Sequence, residues 1–277
     1  MYRKAFIDLY LKDGFIFEDA KNEIDFVLET LFNYTYKDFL LGKTLSQNQI
    51  AKTEKIIKER TKTRRPIQQI TGQAFFYNRR FLVNESTLIP RPETELLVSE
   101  VLKLSQNIEN PKILDIGTGS GCIPITLCLE NSKITAHSVD ILSSAIETAK
   151  KNALLHNVYE KIRFFKSDLF ENIEEKYDII VSNPPYIPLK EKENLQVEVK
   201  DFDPPEALFT NDEYGIEYYE KIITESHDYL SDNGYLAFEL GVNQCKLVEK
   251  ILKANKYRNI NIIKDFNNIN RVIISRK

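Results

Sequence analysis

The sequence contains few of the residues that usually build metal centres and disulfide frameworks. Its 277 residues include only three cysteines and three histidines. The cysteines, Cys122, Cys128 and Cys245, form no Cys-x-x-Cys pair and have no histidine cluster near them, so neither a zinc site nor a disulfide framework is predicted. We expect no bound metal, and we expect the cysteines to be small buried side chains.

Long apolar segments are also missing. No uninterrupted apolar run approaches the roughly 20 residues that a membrane helix needs. The first residues soon reach Asp8, Lys12 and Asp13, and they show neither the apolar stretch nor the cleavage site of a signal peptide. We therefore predict a cytoplasmic protein with no membrane partner.

The net charge is small, but the charges are unevenly distributed. The value of −3 for the whole chain excludes a general polyanion binder. Residues 1–80 carry 15 basic and 10 acidic residues, a net charge of +5, whereas the remainder has a net charge of −8. Two interpretations fit this asymmetry. The basic part is either a docking surface for an acidic partner, with Lys58, Arg60 and Arg64 as candidates, or an ordinary solvated helix surface.

Two sequence patterns divide the chain. Residues 1–72 have apolar residues three and four positions apart, which predicts a small bundle of amphipathic helices. Residues 73–92 predict a hairpin and a stiff, proline-containing linker. In residues 93–277 candidate strands and helices alternate, which predicts an α/β domain with a mostly parallel sheet covered on both faces. The last two candidate strands, 259–263 and 271–275, are joined by a short loop, so the last strand should run antiparallel.

A glycine-rich turn follows the first strand of this α/β part. In an open α/β sheet, this strand-to-helix turn is where ligands bind. The spacing does not match the Gly-x-Gly-x-x-Gly pattern of dinucleotide folds. The carboxylate of Asp115, just before the turn, would repel a pyrophosphate but suits an ammonium group. S-adenosylmethionine has an ammonium group, a sulfonium and no phosphate, so we predict it as the cofactor. The candidate binding residues of the turn are Gly117, Thr118, Gly119, Ser120 and Gly121.

Acidic residues also follow the next two strands. Asp140 ends the second strand, about 20 residues beyond the turn, where a carboxylate can accept both ribose hydroxyls. Asp168 follows the third strand and is placed to reach the adenine amino group, with Leu169 against the ring. A glycine-rich turn together with acids after three successive strands is a specific pattern, so we add these three residues to the predicted cofactor site.

The segment Asn183-Pro184-Pro185-Tyr186 follows the fourth strand, at the same edge of the sheet. A planar amide or amino nitrogen is a poor nucleophile because its lone pair is delocalised. The Asn183 side-chain oxygen and the Pro184 carbonyl can each accept one N–H of such a group, and the prolines hold that carbonyl in place. The ring of Tyr186 can pack on the flat target. We predict that Asn183, Pro184 and Tyr186 are catalytic and that, with Pro185, they bind the target.

With these motifs in place, the sequence resembles the bacterial release-factor glutamine N5-methyltransferases over nearly its whole length. The resemblance is most specific in four segments: Leu-Ile-Pro-Arg-Pro-Glu-Thr-Glu at 88–95, Asp-Ile-Gly-Thr-Gly-Ser-Gly at 115–121, Val-Ser-Asn-Pro-Pro-Tyr at 181–186 and Asp-Pro-Pro-Glu-Ala-Leu at 203–208. It implies a class I S-adenosylmethionine-dependent methyltransferase fold with a seven-stranded sheet, preceded by a helical substrate-recognition domain.

The resemblance also implies a reaction. Members of this family methylate the side-chain amide of the glutamine in the Gly-Gly-Gln motif of peptide chain release factors, which supports translation termination. It further implies that Asn183 contacts the cofactor as well as the target. We expect the protein to be a monomer whose partners are release factors and not DNA.

Three other functions are compatible with parts of the pattern. A glutamine methyltransferase of a ribosomal protein would share the fold and the target segment. An adenine-N6 DNA methyltransferase also acts on a planar NH₂ group, but it would need a DNA-reading region and a basic cleft, whereas the catalytic part here has a net charge of −8. A non-catalytic binding module would not need suitable residues at every expected position.

Overall fold

The computed structural model describes residues 2–277 and divides the chain into two compact units. The first unit, the helical unit, contains the residues up to Ala74 together with Gln196–Phe202. The second, the α/β unit, contains Phe75–Leu195 and Asp203–Lys277. The helical unit therefore includes a short segment from the second half of the chain, and no sequence pattern had indicated this.

Amphipathic helices build the helical unit. They are α1 (Tyr2–Lys12), α2 (Phe17–Phe32), α3 (Tyr36–Leu40), α4 (Gln47–Thr63) and α5 (Ile67–Thr71). The core between them includes Phe6, Tyr10, Ile24 and Ile57, all fully buried. Helix α4 begins at a capping box, in which Ser46 Oγ accepts from the Gln49 amide and Gln49 Oε1 accepts from the Ser46 amide. This reciprocal pairing satisfies amide groups that a helix start leaves free.

A buried arginine holds the later segment in the helical unit. The side chain of Arg60 on α4 is only 7% exposed. Its guanidinium donates to Glu23 at 2.9 Å and to Glu198 at 3.1 Å, and it lies 4.8 Å from the centre of the Phe15 ring. Burial lowers the pKa of Arg60, but the hydrogen bonds and charges of the two carboxylates outweigh it and raise the pKa. Arg64 also pairs with Glu198, at 2.6 Å.

These contacts correct one interpretation of the basic N-terminal part. Arg60 is buried and paired inside the helical unit, so it is not available to dock an acidic partner. Arg64 is partly exposed but is engaged with Glu198. Of the three candidates for docking, Lys58 is the most exposed, at 56% of its side chain.

We predict that Arg60→Ala destabilises the protein strongly, because it removes the guanidinium from the largely buried carboxylates of Glu23 and Glu198, which then keep only Tyr10 and Arg64 as partners. Removing one partner of a buried ion pair costs about 3–5 kcal/mol of the free energy of unfolding. Lys58→Ala, on the same helix but exposed, should change it by less than about 0.5 kcal/mol. Urea unfolding of both variants measures the difference. Equal effects would show that the Arg60 pairs do not hold the unit together.

The α/β unit is built around a seven-stranded sheet. The remaining α-helices and strands of the chain, in order, are β1 (Gln73–Phe76), β2 (Arg79–Leu82), α6 (Thr94–Ser105), β3 (Lys112–Ile116), α7 (Cys122–Glu130), β4 (Thr135–Asp140), α8 (Ser143–Leu155), β5 (Ile162–Lys166), β6 (Tyr177–Ser182), β7 (Ile187–Pro188), α9 (Val197–Lys200, in the helical unit), β8 (Phe209–Thr210), α10 (Glu217–Tyr229), β9 (Leu230–Glu239), α11 (Cys245–Ala254), β10 (Arg258–Lys264) and β11 (Asn270–Arg276). Strands β1 and β2 form a separate two-stranded sheet, as do β7 and β8.

The strand order of the main sheet is β10-β11-β9-β6-β3-β4-β5. Strands β9, β6, β3, β4 and β5 are parallel, and β11 runs antiparallel to both of its neighbours. The prediction of a mostly parallel seven-stranded sheet with an antiparallel last strand is confirmed.

Burial on both faces explains the apolar composition of the central strands. Ile113 and Leu114 of β3 are fully buried although their side chains point to opposite faces. Ile113 joins a core cluster with Val98 of α6, and Leu114 joins one with Ile222 of α10. A strand covered on both faces is apolar throughout and does not alternate.

The strand order places the loops that matter for function. From β3 the chain adds β4 and β5 on one side and then returns to place β6 on the other side of β3. The carboxyl ends of β3 and β6 therefore lie side by side, with Ile116 opposite Ser182. A ligand crevice is expected at such a reversal of strand order.

Within the described residues, the structure has no helix of the length and apolar character that crossing a membrane requires.

Candidate active site

A cavity of about 220 Å³ opens at the carboxyl edge of the sheet. Four loops line it, and each follows one of the strands β3, β4, β5 and β6. Together these loops contribute Gly117, Thr118, Gly119, Ser120, Asp140, Ile141, Leu142, Ser167, Asp168, Leu169, Asn183, Pro184 and Pro185. The cavity therefore brings together most of the residues that the sequence had singled out.

Asp140 organises the glycine-rich turn. Its Oδ2 accepts a hydrogen bond from the Gly119 amide and its Oδ1 accepts one from the Leu142 amide, both at 2.9 Å. Each carboxylate oxygen keeps a further lone pair, so the group can still accept hydroxyl donors from the cavity. Burial raises the pKa of Asp140, and the backbone hydrogen bonds counteract this rise.

Gly121 has a packing role and is not among the residues that line the cavity. Its φ of 79° lies in the left-handed region, and an added Cβ would lie 3.0 Å from Ala149 and from Ile125. Glycine is needed here because α7 begins against α8. The packing of the two helices explains why glycine is present here, and the contact of this residue with the cofactor stays a prediction.

Asp115 is buried at the end of β3, just before the glycine-rich turn. The side chain was expected to meet an ammonium group, but it is fully buried and is not among the cavity-lining residues of the described chain. Burial, with a smaller contribution from Asp140, raises the pKa of Asp115 from 3.8 to about 7. The turn therefore lies over an acid that retains its proton far more readily than an exposed aspartate does.

A turn after β5 presents Asp168 and Leu169 to the cavity. The Ser167 hydroxyl donates to the Leu169 carbonyl and accepts from the Asn172 amide, both at 3.0 Å. Leu169 adopts a left-handed φ of 46° within this turn. The hydrogen bonds of Ser167 hold this unusual backbone, so the positions of Asp168 and Leu169 are built into the fold.

The segment after β6 is fixed at both ends. At its start, the buried Ser182 hydroxyl donates to the Ile116 carbonyl of β3 at 2.7 Å. At its end, Gln244 Nε2 donates to the Tyr186 carbonyl at 2.7 Å. Gly215 lies so close that an added Cβ would be 2.1 Å from the Tyr186 oxygen. This segment cannot shift without breaking contacts from three other parts of the unit.

The members of this segment occupy different environments. Asn183, Pro184 and Pro185 line the cavity, whereas Tyr186 packs against the core behind it. Burial raises the pKa of the Tyr186 hydroxyl, and the nearby Glu239 carboxylate raises it further. Tyr186 is therefore a neutral side chain that can supply a ring face and a hydroxyl donor.

Comparison with known proteins identifies the family. The Methyltransferase small domain family matches residues 92–200. The chain is 40% identical to the release factor glutamine methyltransferase of Fusobacterium nucleatum, over 86% of this chain and 68% of the relative. It is 35% identical to that of Flavobacterium psychrophilum, over 98% of this chain and 96% of the relative. The chain belongs to the release factor glutamine methyltransferase family.

A structural comparison agrees with this family at the level of the fold. A methyltransferase from Pyrococcus furiosus superposes with a TM-score of 0.54 at 16% identity, covering 82% of this chain and 98% of the other. At such low identity the match speaks for the fold alone. The α/β unit thus has a class I methyltransferase fold, and the family match shows that the chain is a methyltransferase.

The sequence patterns had predicted no role for several residues at the cavity of this protein. Arg91 donates to the fully buried Asp203 side chain at 2.6 Å and joins segments 88–95 and 203–208. Burial raises the pKa of Asp203 to about 6, and Arg91 counteracts this rise. Both segments had been noted as specific motifs, so a signal was present. The other lining residues of this kind include Thr94, Glu206, Ala207, Tyr218 and Lys221.

The buried acid predicts a pH dependence of stability. Because its folded pKa is raised to about 7, the stability that Asp115 contributes is complete at low pH and is lost as the pH rises through that value. Relative to Asp115→Asn, the free energy of unfolding of the wild type should fall by about 2–4 kcal/mol from pH 4 to pH 8. Urea unfolding at several pH values measures this difference. Parallel pH curves for the two proteins would contradict the assigned pKa.

Proposed function

We propose that the protein transfers a methyl group from S-adenosylmethionine to the side-chain amide nitrogen (N5) of the glutamine in the Gly-Gly-Gln motif of peptide chain release factors. The observation that carries the proposal is the fixed segment from Asn183 to Tyr186 at the wall of the cavity. Asn183 and Pro184 line the same cavity as the glycine-rich turn, which supports the Asn183 amide oxygen and the Pro184 carbonyl as the two acceptors for the target. The names of the relatives support the substrate.

The residues around the cavity suit this cofactor. The turn from Gly117 to Ser120 offers backbone close to a ligand, and an added Cβ at Gly117 or Gly119 would point into open space. Asp140 keeps free lone pairs for the ribose hydroxyls, and Asp168 and Leu169 would hold the adenine. When bound, S-adenosylmethionine supplies an electrophilic methyl group on its sulfonium.

The target amide would be oriented by two acceptors. Its NH₂ group would donate one hydrogen bond to Asn183 Oδ1 and one to the Pro184 carbonyl, which directs the nitrogen lone pair away from both. Such contacts strengthen as the nitrogen becomes pyramidal and cationic, so they lower the barrier. The methylated nitrogen then loses its proton readily, and no side-chain base is required. Tyr186 and Pro185 would shape the binding surface for the flat amide.

The two units suggest a division of labour. We propose residues 1–72 as the substrate-recognition domain, residues 73–92 as the linker and residues 93–277 as the catalytic domain. We also propose a cytoplasmic monomer with release factors as partners. The family match does not favour the alternatives of a ribosomal protein substrate or of DNA adenine.

We predict that Asn183→Ala lowers kcat for a purified release factor by at least about 10²-fold, because it removes one acceptor that acts in the transition state. The affinity for S-adenosylhomocysteine should change much less. Methyl transfer from a labelled donor measures the rate, and Asn107→Ala, at an exposed position, serves as the control. Near-normal transfer by the Asn183 variant would refute its role.

We predict that Asp140→Ala weakens cofactor affinity by about 10–100-fold, which corresponds to losing charge-assisted hydrogen bonds of about 1.5–3 kcal/mol. The loss has two sources, the ribose contacts and the support of Gly119. Calorimetric titration with S-adenosylhomocysteine measures it, with Asp232→Ala at an exposed site as the matched control. An unchanged dissociation constant would remove Asp140 from the cofactor site.

A further inference from the structure

Thr94 and Glu239 lie directly behind Asn183, and neither has a role in the chemistry described above. We propose that they are positioning residues, which fix the Asn183 side chain with its oxygen, and not its NH₂ group, toward the target. This inference rests on the proposed role of Asn183 as an acceptor. It adds the reason why the amide does not rotate to the wrong orientation.

The three side chains form a continuous line of hydrogen bonds. Asn183 Nδ2 donates to Thr94 Oγ1 at 3.3 Å, and Thr94 Oγ1 donates to Glu239 Oε2 at 2.6 Å. Thr94 is 3% exposed and Glu239 is 1% exposed, so solvent does not compete for these bonds. Thr94 begins α6 and Glu239 ends β9, and both are parts of the regular scaffold.

The donor of each bond follows from the chemistry of the groups. A threonine hydroxyl has one hydrogen, and the short contact directs it at the Glu239 carboxylate, which accepts only. The hydroxyl can then offer only a lone pair to Asn183. Asn183 must therefore donate to it from its NH₂ group, because its oxygen has no hydrogen to donate. The amide is planar, so its oxygen lies on the other side, toward the cavity.

The orientation matters because the two ends of an asparagine amide are similar in shape and opposite in hydrogen bonding. If Asn183 turned its NH₂ group to the cavity, two N–H donors would face each other, and the target amide would lose its acceptor. An unsatisfied contact of this kind lowers an equilibrium constant or a rate constant by about 10–100-fold. The Thr94–Glu239 pair makes the productive orientation the only satisfied one.

The carboxylate also reaches the other end of the target segment. Glu239 connects to Asn183 through Thr94, and burial together with its charge raises the pKa of the Tyr186 hydroxyl. Burial raises the pKa of Glu239 to about 7. The titratable and charged groups that face it come from α6, the target segment, β11, α7 and α10: Glu93, Tyr186, Arg271, Cys122 and Tyr219.

Protonation of Glu239 would remove the constraint. A carboxylic acid can donate its proton to Thr94, and the threonine hydroxyl could then donate to the Asn183 oxygen and turn the NH₂ group toward the target. The ordered arrangement thus needs the carboxylate form. We expect kcat of the wild type to decline as the pH falls from 8 to 6, through the pKa of about 7.

Two substitutions at one position test the proposal. Thr94→Val keeps the shape but removes the hydroxyl, and kcat should fall about 10–100-fold while the KM for the release factor and the affinity for S-adenosylhomocysteine change less than about threefold. Thr94→Ser keeps the hydroxyl, and kcat should stay within about threefold of the wild type. Thermal unfolding of both variants separates a loss of fold from a loss of positioning.

A third substitution tests the role of the charge. Glu239→Gln cannot titrate, and its amide can present either its oxygen or its NH₂ group to Thr94, so its kcat should be lower than that of the wild type at pH 8 and should lose the decline between pH 8 and pH 6. The proposal is overturned if folded Thr94→Val retains full kcat, or if Glu239→Gln shows the same decline as the wild type. These results differ from failure of the proposed function itself, in which the wild type would transfer no methyl group to a release factor.

Discussion

The pairing of β3 with β6 is the constraint on which the site depends. It sets Ile116 opposite Ser182, and the Ser182 hydroxyl donates to the Ile116 carbonyl at 2.7 Å. Because the two strands are parallel, the glycine-rich turn after β3 and the target segment after β6 emerge side by side. A shift of one residue in this register would move the side chains of one strand to the opposite face of the sheet, from one buried core to the other, so the packing of both cores specifies it. The sheet itself therefore holds the glycine-rich turn and the target segment next to each other.

Buried acids form a second layer beneath these loops. Asp115 lies under the glycine-rich turn, Asp203 pairs with Arg91, and Glu239 connects to Asn183 through Thr94. Burial raises the pKa of each, to about 7, 6 and 7 respectively. A buried acid is costly to ionise, and this cost persists in a fold only where other interactions outweigh it. Because all three acids lie beneath the loops of one site, the protonation of these acids affects how rigidly the loops are held.

Much of this arrangement follows from sequence patterns with a local physical cause. The glycine-rich turn was predicted to follow the first strand of the α/β part and the target segment to follow the fourth, and they follow β3 and β6, since each apolar run ends at residues that favour turns. The packing of Gly121 against α8 and the full burial of Asp115 were not predicted, because a motif names residues but does not say which of them point inward. The burial of Arg60 and the place of 196–202 in the helical unit depend on contacts between residues more than 130 positions apart, as in Arg60 with Glu198, and no local pattern carries that information.

The proposed function requires that the protein methylates one particular nitrogen. The direct measurement is tandem mass spectrometry of a purified release factor after incubation with the protein and S-adenosylmethionine. We expect a single added methyl group on the side-chain amide of the glutamine in the Gly-Gly-Gln motif, and no addition when that glutamine is replaced by alanine. A methyl group on another residue, or an unmodified release factor under conditions in which the protein binds the cofactor, would contradict it.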